Sequence, residues 1–214
     1  MTCWENSNRQ DSDATPGVEL GRPPGGRWHP GSVPLLPAVL PAGAIELRRC
    51  RVDDLPALLA AVAASLAELG QWMPWAQTMP TAEDELAVLV DAESSFDAGT
   101  EWIYLLYELD SGELVGGAGL HQRVGPEGVE IGYWVRSDRT GRGYATAAAG
   151  ALTHAAFTHL GHVERVEIHM DAANAANAAV PRKLGYRFDR EETREILARG
   201  HTGTGLVWIL DRPT

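Results

Sequence analysis

The sequence predicts an α/β protein in which helices flank a single mixed, mostly antiparallel sheet. A strand pattern at 130–135 passes through a glycine loop into a helix pattern that starts at Ala145. Two strand patterns, 102–109 and 113–121, are joined by Asp110-Ser111-Gly112, which is typical of an antiparallel hairpin. Helix patterns come before and after these strands, as in proteins whose helices cover a sheet.

Size and composition narrow the class of protein. The chain has 214 residues, a formal net charge of -11 and a pI near 5.0. This acidic balance argues against a nucleic-acid partner, which needs a basic surface. We expect a cytoplasmic protein without a membrane partner, because no apolar run is long enough to span a bilayer. Cys3 and Cys50 are the two cysteines, and their separation predicts neither a disulfide framework nor a zinc site.

Two parts of the chain differ in composition. Residues 1–33 are rich in Gly, Pro, Ser and Asn without apolar periodicity, which predicts a disordered or loosely attached tail. Residues 34–214 then form one domain. Its first stretch, 34–42, is apolar but interrupted by prolines, so we expect an extended arm lying on the domain. The sequence leaves a homodimer open.

The first half of the domain contains a strand and two helix patterns. Residues 45–49 alternate as a first strand should, and a helix is predicted to start at Asp53 or Asp54 and to end at Gly70. A second helix should start where Thr81 and Asp84 resemble a capping box. The residues expected to face inward from these helices are Leu55, Leu58, Leu59, Val62 and Leu66 in the first and Leu86, Leu89 and Val90 in the second.

The later elements are predicted in the same way. Three glycines inside the hairpin's return strand, at 116, 117 and 119, indicate a bulge or a close approach by another group. The helix after the glycine loop should bury Ala148, Leu152, Ala156 and Leu160. A strand follows at 163–170, with alternate residues Val166, Ile168 and Met170 on one face. Two last strands are expected at 194–198 and 205–210, around a turn at 199–204.

The stretch from Glu130 to Thr146 has the pattern of a phosphate-binding site. Glycines at 141 and 143 let the backbone approach a ligand, and the first N–H groups of a helix attract an anion. No P-loop string is present. Thr146 stands where the dinucleotide fingerprint requires a third glycine or alanine, so that motif is incomplete too.

This stretch resembles the pyrophosphate loop of the acetyl-CoA-dependent N-acetyltransferase superfamily (GNAT), closest to its ribosomal-protein N-terminal acetyltransferase-like branch. Gly143-Tyr144-Ala145 matches the end of that loop. Thr140 replaces the usual leading Arg or Gln, and Arg139 is a candidate for the missing charge. A second motif matches at Asn174 and at Lys183-Leu184-Gly185-Tyr186, although Asn177 stands where the branch usually has serine. The resemblance covers about residues 44–211.

The resemblance implies transfer of an acetyl group from acetyl-CoA, as co-substrate, to the amine of a protein N-terminus or a small molecule. It implies direct attack on the thioester, without a covalent enzyme intermediate. Backbone groups of Trp134, Val135 and Arg136 would bind the pantetheine arm, one N–H meeting the thioester oxygen. The remaining cofactor-binding residues it implies are Gly141, Arg142, Gly143, Tyr144, Ala145, Thr146, Asn174 and Asn177. Trp72 and Trp75 would line the acceptor side, with core aromatics as the alternative.

The sequence leaves alternatives for the general base and for the acid that protonates the leaving thiolate. Glu130 is the candidate general base, and the alternative is an exposed glutamate at a strand edge. If Glu130 fails, Glu167 is the next carboxylate to test. Asn177 can only hydrogen-bond, which suits orienting the cofactor. Pro181 stands where the superfamily commonly has an acid tyrosine, so the acid for the leaving thiolate stays open.

The sequence also has to be considered for a metal site and for a binding function without catalysis. Four histidines lie between 154 and 169, but none forms a His-Glu-x-x-His string, so a metal site is not expected. A CoA-binding sensor or scaffold of the same fold, without turnover, is the second function hypothesis. The departures at Thr140, Asn177 and Pro181 are what keep it open.

Overall fold

The computed structural model describes residues 36–213, so the predicted tail at 1–33 lies outside the described residues. The strands of this part are β1 Val39–Ala42, β2 Ile45–Arg49, β3 Glu101–Glu108, β4 Leu114–His121, β5 Gly128–Val135, β6 Arg165–Asp171, β7 Arg187–Thr193 and β8 Thr204–Asp211. The α-helices are α1 Leu55–Ala63, α2 Leu66–Trp72, α3 Ala82–Ala98, α4 Tyr144–His159 and α5 Ala179–Lys183.

All of these strands belong to one sheet, with the spatial order β1-β2-β3-β4-β5-β6-β8-β7. Only the pair β5–β6 is parallel among the strand pairs within 36–213. The predicted class, a mixed and mostly antiparallel sheet flanked by helices, is therefore confirmed. The parallel pair lies in the interior of the sheet, with α4 as the crossover between its strands.

Helices cover both faces of the sheet. On one face α4 buries the predicted stripe Ala148, Leu152, Ala156 and Leu160, which is confirmed. On the other face, α1 to α3 bury Leu58, Val62 and Leu89 against side chains of β3 and β5, among them Ile103, Leu105 and Trp134. Because the face of a strand alternates along its residues, neighbouring residues of β5 point into different cores.

The predicted single helix ending at Gly70 is wrong. The chain breaks at Ala64 and Ser65, and Gly70 lies inside α2, which runs on to Trp72. An ideal Cβ at Gly70 would lie 2.7 Å from the carbonyl oxygen of Ala76. The glycine therefore permits a close backbone approach and does not terminate the helix.

Helix α3 begins as predicted but turns a different face inward. The Asp84 N–H donates to Thr81 Oγ1 at 3.1 Å, so the predicted cap is confirmed. Leu89 is buried as predicted, but Leu86 and Val90 are 41 % and 52 % exposed, so their inward placement is wrong. The buried residues Glu85, Val88, Leu89, Ala92 and Phe96 follow the spacing of one helix face, which excludes the residues next to them.

Three further predictions concern the strands. The arm at 34–42 contains the edge strand β1, which pairs with β2. The glycines of β4 have both expected consequences, since the register with β3 shifts at Leu106/Tyr107 and an ideal Cβ at Gly116 would lie 2.3 Å from Trp134 O. The predicted strand at 194–198 is wrong, because β8 pairs instead with β7 at 187–193 and residues 194–203 form a loop. Across the described residues, no helix is long and apolar enough to cross a membrane.

Candidate active site

The site begins where β5 and β6 separate. Their pairing runs from Gly128↔Arg165 to Ile131↔Ile168 and stops there, although β5 continues to Val135 on its pairing with β4. The Arg136 N–H donates to Val115 O at 2.8 Å, so it points toward β4 and away from the opening. Because backbone direction alternates along a strand, the N–H groups of Tyr133 and Val135 face the opening.

A cleft of about 550 Å³ lies at this opening. It is lined by predicted cofactor residues from β5, the glycine loop, α4 and the segment before α5. The predicted residues in its lining are Trp72, Trp134, Val135, Gly141, Gly143, Tyr144, Ala145, Thr146, Asn174 and Asn177. The fold thus brings together residues from distant parts of the sequence. The lining does not include Arg136, Arg142, Trp75 or Glu130.

The glycine loop places free backbone donors at the mouth of the cleft. Gly141 and Gly143 have φ of 75° and 83°, a left-handed conformation in which glycine is favoured. An ideal Cβ at either position meets no atom within 4 Å, so the space beside the loop is open. Gly143 is the N-cap of α4, and its carbonyl oxygen accepts from the Ala147 N–H at 2.9 Å. The N–H groups of Tyr144 to Thr146 precede this bond and lack a partner within the helix.

Arg142 supports this loop from outside the cleft. Its Nη1 donates to Glu108 Oε1 at 2.9 Å, and the Tyr144 hydroxyl donates to the same oxygen. Ser111 Oγ donates to the other oxygen of Glu108 at 2.7 Å. The hydrogen bond from Tyr144 is the main cause that holds the pKa of Glu108 below its usual value. Glu108, the last residue of β3, is thereby bonded to Arg142 and Tyr144, the residues on either side of Gly143.

Arg136 and Arg139 differ in what they offer a ligand. Arg136 donates to Asp138 at 2.6 Å and to Leu114 O and Glu113 at 3.1 Å. Arg139 lines the cleft and also donates to Glu113. Its Nε is buried and has no hydrogen-bond partner in the described part of the chain. Its Nε also lies 3.9 Å from Asp138 Oδ2, so Arg139 is the one of these two arginines that lines the cleft, with both acidic neighbours beside it.

Two buried side-chain donors in the lining were not predicted from the sequence, which assigned Trp134 to cofactor binding only through its backbone. The Tyr133 hydroxyl and Trp134 Nε1 are buried and find no hydrogen-bond partner among residues 36–213. Burial raises the pKa of Tyr133, so its hydroxyl stays protonated. Buried donors are normally satisfied, so these two fit a site whose ligand brings acceptors. Nothing in the sequence distinguishes them from ordinary core aromatics, because their state depends on what packs around them.

The other end of the cleft is lined by α2, which the loop 194–203 holds from outside the cleft. Gly200 N donates to Gln71 O at 2.8 Å, and His201 Nε2 donates to Trp72 O at 3.0 Å. Trp72, Met73 and Glu68 line the cleft here. Trp75 instead packs edge-to-face on Trp134, with ring centroids 6.4 Å apart.

Asp171, at the end of β6, ties the same loop to the sheet. Its Oδ2 accepts from Thr202 N at 2.8 Å, and its Oδ1 accepts from Ala173 N at 2.9 Å. Asn177 N donates to Asn174 Oδ1 at 3.2 Å, which orders the segment before α5. The two asparagines from the second motif therefore lie in one turn, on the wall of the cleft contributed by that segment.

Glu130 is buried inside the sheet. It is 5 % exposed, so the alternative of an exposed strand-edge glutamate is wrong. Its Oε2 and Oε1 accept from Arg123 Nε and Nη2, each at 2.8 Å. Burial alone would raise the pKa of Glu130, but the hydrogen bonds and charge of Arg123, with His169 and His121, lower it to about 2. Its role as general base stays a prediction.

Comparisons with known proteins agree with this geometry. Residues 44–187 match the model of the acetyltransferase (GNAT) domain family, which is more than half of the chain. The chain belongs to the GNAT acetyltransferase family. As a GNAT enzyme it uses acetyl-CoA as co-substrate and acetylates an amine, which favours catalysis over a binding module without turnover.

Relatives and solved structures similar to this GNAT enzyme include ribosomal N-acetyltransferases. It is 29 % identical over 146 residues to YdaF of Bacillus subtilis (strain 168), whose name assigns it to the ribosomal N-acetyltransferases, and the match covers 66 % of this chain and 77 % of that protein. The structure of RimL, a ribosomal L7/L12 α-N-protein acetyltransferase in complex with coenzyme A, has a TM-score of 0.73 at 21 % identity, covering 81 % of this chain and 97 % of that one. The microcin C7 self-immunity acetyltransferase MccE, bound to acetyl-CoA and AMP, has a TM-score of 0.73 at 15 % identity, covering 84 % and 99 %.

No metal centre accompanies this site in the described residues. Between residues 36 and 213, no three or more His, Cys, Asp or Glu side chains are grouped so that they could hold a metal ion. Cys50 is buried and free, and burial raises its pKa to about 12, which keeps the thiol protonated and unreactive.

Proposed function

We propose that this GNAT enzyme acetylates the α-amino group of a protein N-terminus. The observation that carries the proposal is the opening between β5 and β6, with the glycine loop at its mouth. The similarity of the chain to a protein named as a ribosomal N-acetyltransferase supports a protein acceptor. A small-molecule amine is the other acceptor class that the same chemistry would serve.

The mouth of the cleft suits the pyrophosphate of acetyl-CoA. The free N–H groups of Tyr144 to Thr146 supply donors, and the dipole of the 16-residue helix α4 favours negative charge there. The guanidinium of Arg139, which lines the cleft, would add positive charge beside the phosphates. Lys183 also lines the cleft and forms no ion pair within 36–213, so it can balance a phosphate. We assign Arg142 to holding the loop, through Glu108.

The opening itself suits the pantetheine arm and the thioester. The N–H groups of Tyr133 and Val135 face it, and either can donate to the thioester oxygen as negative charge develops. The Tyr133 hydroxyl and Trp134 Nε1 lack partners, so carbonyl groups of the arm would satisfy buried donors that otherwise cost free energy. We assign Asn174 and Asn177, on the facing wall, to orienting the arm.

The acceptor would enter at the end of the cleft that α2 lines. Trp72 and Met73 offer apolar surface there, while Glu68 contributes a carboxylate that favours an ammonium group. The Ser137 hydroxyl donates to Glu68 at 3.0 Å, which joins this end of the cleft to the glycine loop. The net charge of -11 adds a weak attraction for cationic acceptors.

A thiol-release assay with a panel of amines tests the proposal. The panel contains short peptides with a free α-amino group and different first residues, the same peptides N-acetylated, and small amines such as spermidine and an aminoglycoside. We expect thiol release from acetyl-CoA with free peptides and none with their N-acetylated counterparts. Release with small amines alone would contradict a protein acceptor. CoA binding without release from any amine would contradict acetyl transfer itself.

A further inference from the structure

A row of ionisable side chains crosses the sheet where the opening begins. Glu101, His121, Glu130 and Glu167 are register partners on β3, β4, β5 and β6 in turn. The β5–β6 pairing ends one residue later, at Ile131↔Ile168, so Gly132 is the first residue of β5 without a partner on β6. This row therefore lies at the base of the opening.

Most of these side chains are occupied by protein partners. Both oxygens of Glu130 accept from Arg123. Glu167 accepts from Arg165 at 2.6 Å and from His169 Nε2 at 2.7 Å. His169 Nδ1 in turn accepts from Arg194 Nη2 at 2.6 Å. Burial alone would raise the pKa of Glu130 and Glu167, but the hydrogen bonds and charges of Arg123, and of His169 and Arg165, hold both below their usual values, so both carboxylates are weak proton acceptors.

His121 is different, because one of its two ring nitrogens is free. Its Nδ1 lies in hydrogen-bond contact with the Glu101 carboxylate, which accepts and therefore holds the ring proton on Nδ1. The other nitrogen, Nε2, then carries a lone pair, and no residue of the described chain bonds to it. A histidine held by a carboxylate with its other nitrogen free is the arrangement of a general base.

The free nitrogen lies beside the opening. Nε2 is 3.3 Å from the ideal Cβ positions of both Gly119 and Gly132, so the ring uses space that two glycines leave. Tyr133, whose N–H faces the opening, follows Gly132 by one residue, a rise of about 3.4 Å along the strand. His121 is not among the residues that line the cleft, so an amine attacking a carbonyl held on that N–H would pass its proton to Nε2 across a water.

We propose that His121 is the general base of the acetyl transfer and that Glu101 is its positioning residue. The amine nitrogen forms a bond to the thioester carbon, and the proton that it loses goes to Nε2. The C–S bond breaks with its electron pair on the CoA sulfur, and the imidazolium returns the proton to that thiolate. This inference rests on acetyl transfer to an amine being the reaction.

The surroundings of His121 favour a transient positive charge. The charged or titratable groups that face it are Glu101 on β3, Glu130 on β5, His169 on β6 and Arg123, which follows β4. Glu130 and Arg123 neutralise each other, so Glu101 is the carboxylate left to stabilise the imidazolium. Burial would raise the pKa of Glu101, but the hydrogen bond and charge of His121 lower it, so it stays ionised.

The test compares His121→Gln with His169→Gln, a matched histidine of the same sheet whose nitrogens are both occupied. Thiol release is followed against pH, using the peptide of the panel with the fastest wild-type rate. For His121→Gln we expect kcat lower by ~10²–10⁴-fold and an unchanged Kd for acetyl-CoA by calorimetry. The steep acid limb of kcat/KM, set in the wild type by both His121 and the amine, should also be lost, because deprotonation of the amine alone then sets the pH dependence. His169→Gln should keep that limb.

Glu101→Gln is a second variant that leaves the ring in place. It should move the acid limb to lower pH, because the ring loses the carboxylate that stabilises its protonated form. The proposal would be overturned if the rate of His121→Gln were within threefold of wild type. It would also be overturned if neither His121→Gln nor Glu101→Gln changed the acid limb of kcat/KM. These results leave acetyl transfer intact, whereas a wild-type protein that releases no thiol would contradict the reaction itself.

Discussion

At the scale of single residues, the ion pair between Arg123 and Glu130 makes the free energy of unfolding depend on pH, because Glu130 must be ionised to form it. The pKa of Glu130 is lowered to about 2, below its ordinary value of 4.5. A carboxyl whose pKa is lower in the folded protein stabilises it above the unfolded value, and that contribution is lost as pH falls through 4.5 toward 2. A gap of this size corresponds to roughly 3 kcal/mol.

We therefore expect Glu130→Gln to lower the free energy of unfolding at pH 7 by roughly 3 kcal/mol, since Arg123 is left without its anion. The loss should be smaller at pH 3, where the wild type has already lost part of the contribution. Urea unfolding at both pH values measures it. Glu164→Gln is the control, because that side chain is 58 % exposed and 3.8 Å from Arg212. Equal losses in the two variants would contradict the buried pair.

The same variant separates the two candidates for the base. If Glu130 takes the amine proton, Glu130→Gln should lower the rate by ~10²–10⁴-fold, and His121→Gln should have the smaller effect. The geometry predicts the reverse order, because both oxygens of Glu130 accept from Arg123 while His121 Nε2 is free. Rates are compared at a temperature at which both variants are folded.

At the scale of elements, the glycine loop joins β5 to α4 in one backbone conformation. Its two glycines have positive φ, and the second of them caps the helix whose first N–H groups face the cleft. The open space around their ideal Cβ positions means that a side chain would not clash with the protein. The requirement for glycine is therefore conformational, and it sets the direction of the donors.

Gly143→Ala should raise the Kd for acetyl-CoA about tenfold or more, because a left-handed non-glycine residue costs ~1–2 kcal/mol. The loop can relieve that strain by turning its N–H groups away from the phosphates. Gly43→Ala is a matched control, since Gly43 has φ of 67°, equally open space and lies in the turn between β1 and β2. Titration calorimetry should show unchanged affinity for the control. Unchanged affinity for Gly143→Ala would rule out the loop as the phosphate site.

At the scale of the whole molecule, one sheet positions every group of the site. Its strands pair in a single order, and the cleft lies where the pairing of β5 with β6 ends. The loop 194–203 bonds to α2 and to the end of β6, so it fixes the helix that lines the acceptor end relative to the sheet. The site therefore depends on the packing of the domain.

Removal of residues 1–33 should leave both turnover and melting temperature unchanged, because this segment has the composition of a chain that joins no core. The truncated protein still contains Leu36, whose side chain is buried in the core. Full-length and truncated proteins are compared by thermal unfolding and by thiol release. A truncated protein with an unchanged melting temperature but lower activity would show that the tail reaches the site.

The sequence by itself determined the features that depend on neighbouring residues. The strand, glycine loop and helix from 130 to 159, the buried stripe of α4 and the Thr81 cap were all predicted, because periodicity and capping act over a few residues. The family also followed from two short motifs. Predictions were wrong where the local sequence allows more than one structure and tertiary packing decides between them. These were the helix end at Gly70, the inward placement of Leu86 and Val90, and the strand at 194–198.

Only the tertiary structure decided which polar groups are free. Glu101 meets His121 across 20 positions of the chain, and Arg194 reaches His169 across 25. The sequence shows that an arginine or a histidine is present, but its partner depends on strand register and on where two strands separate. A proton acceptor is available only when its neighbours leave a lone pair free, and that is a property of the folded sheet.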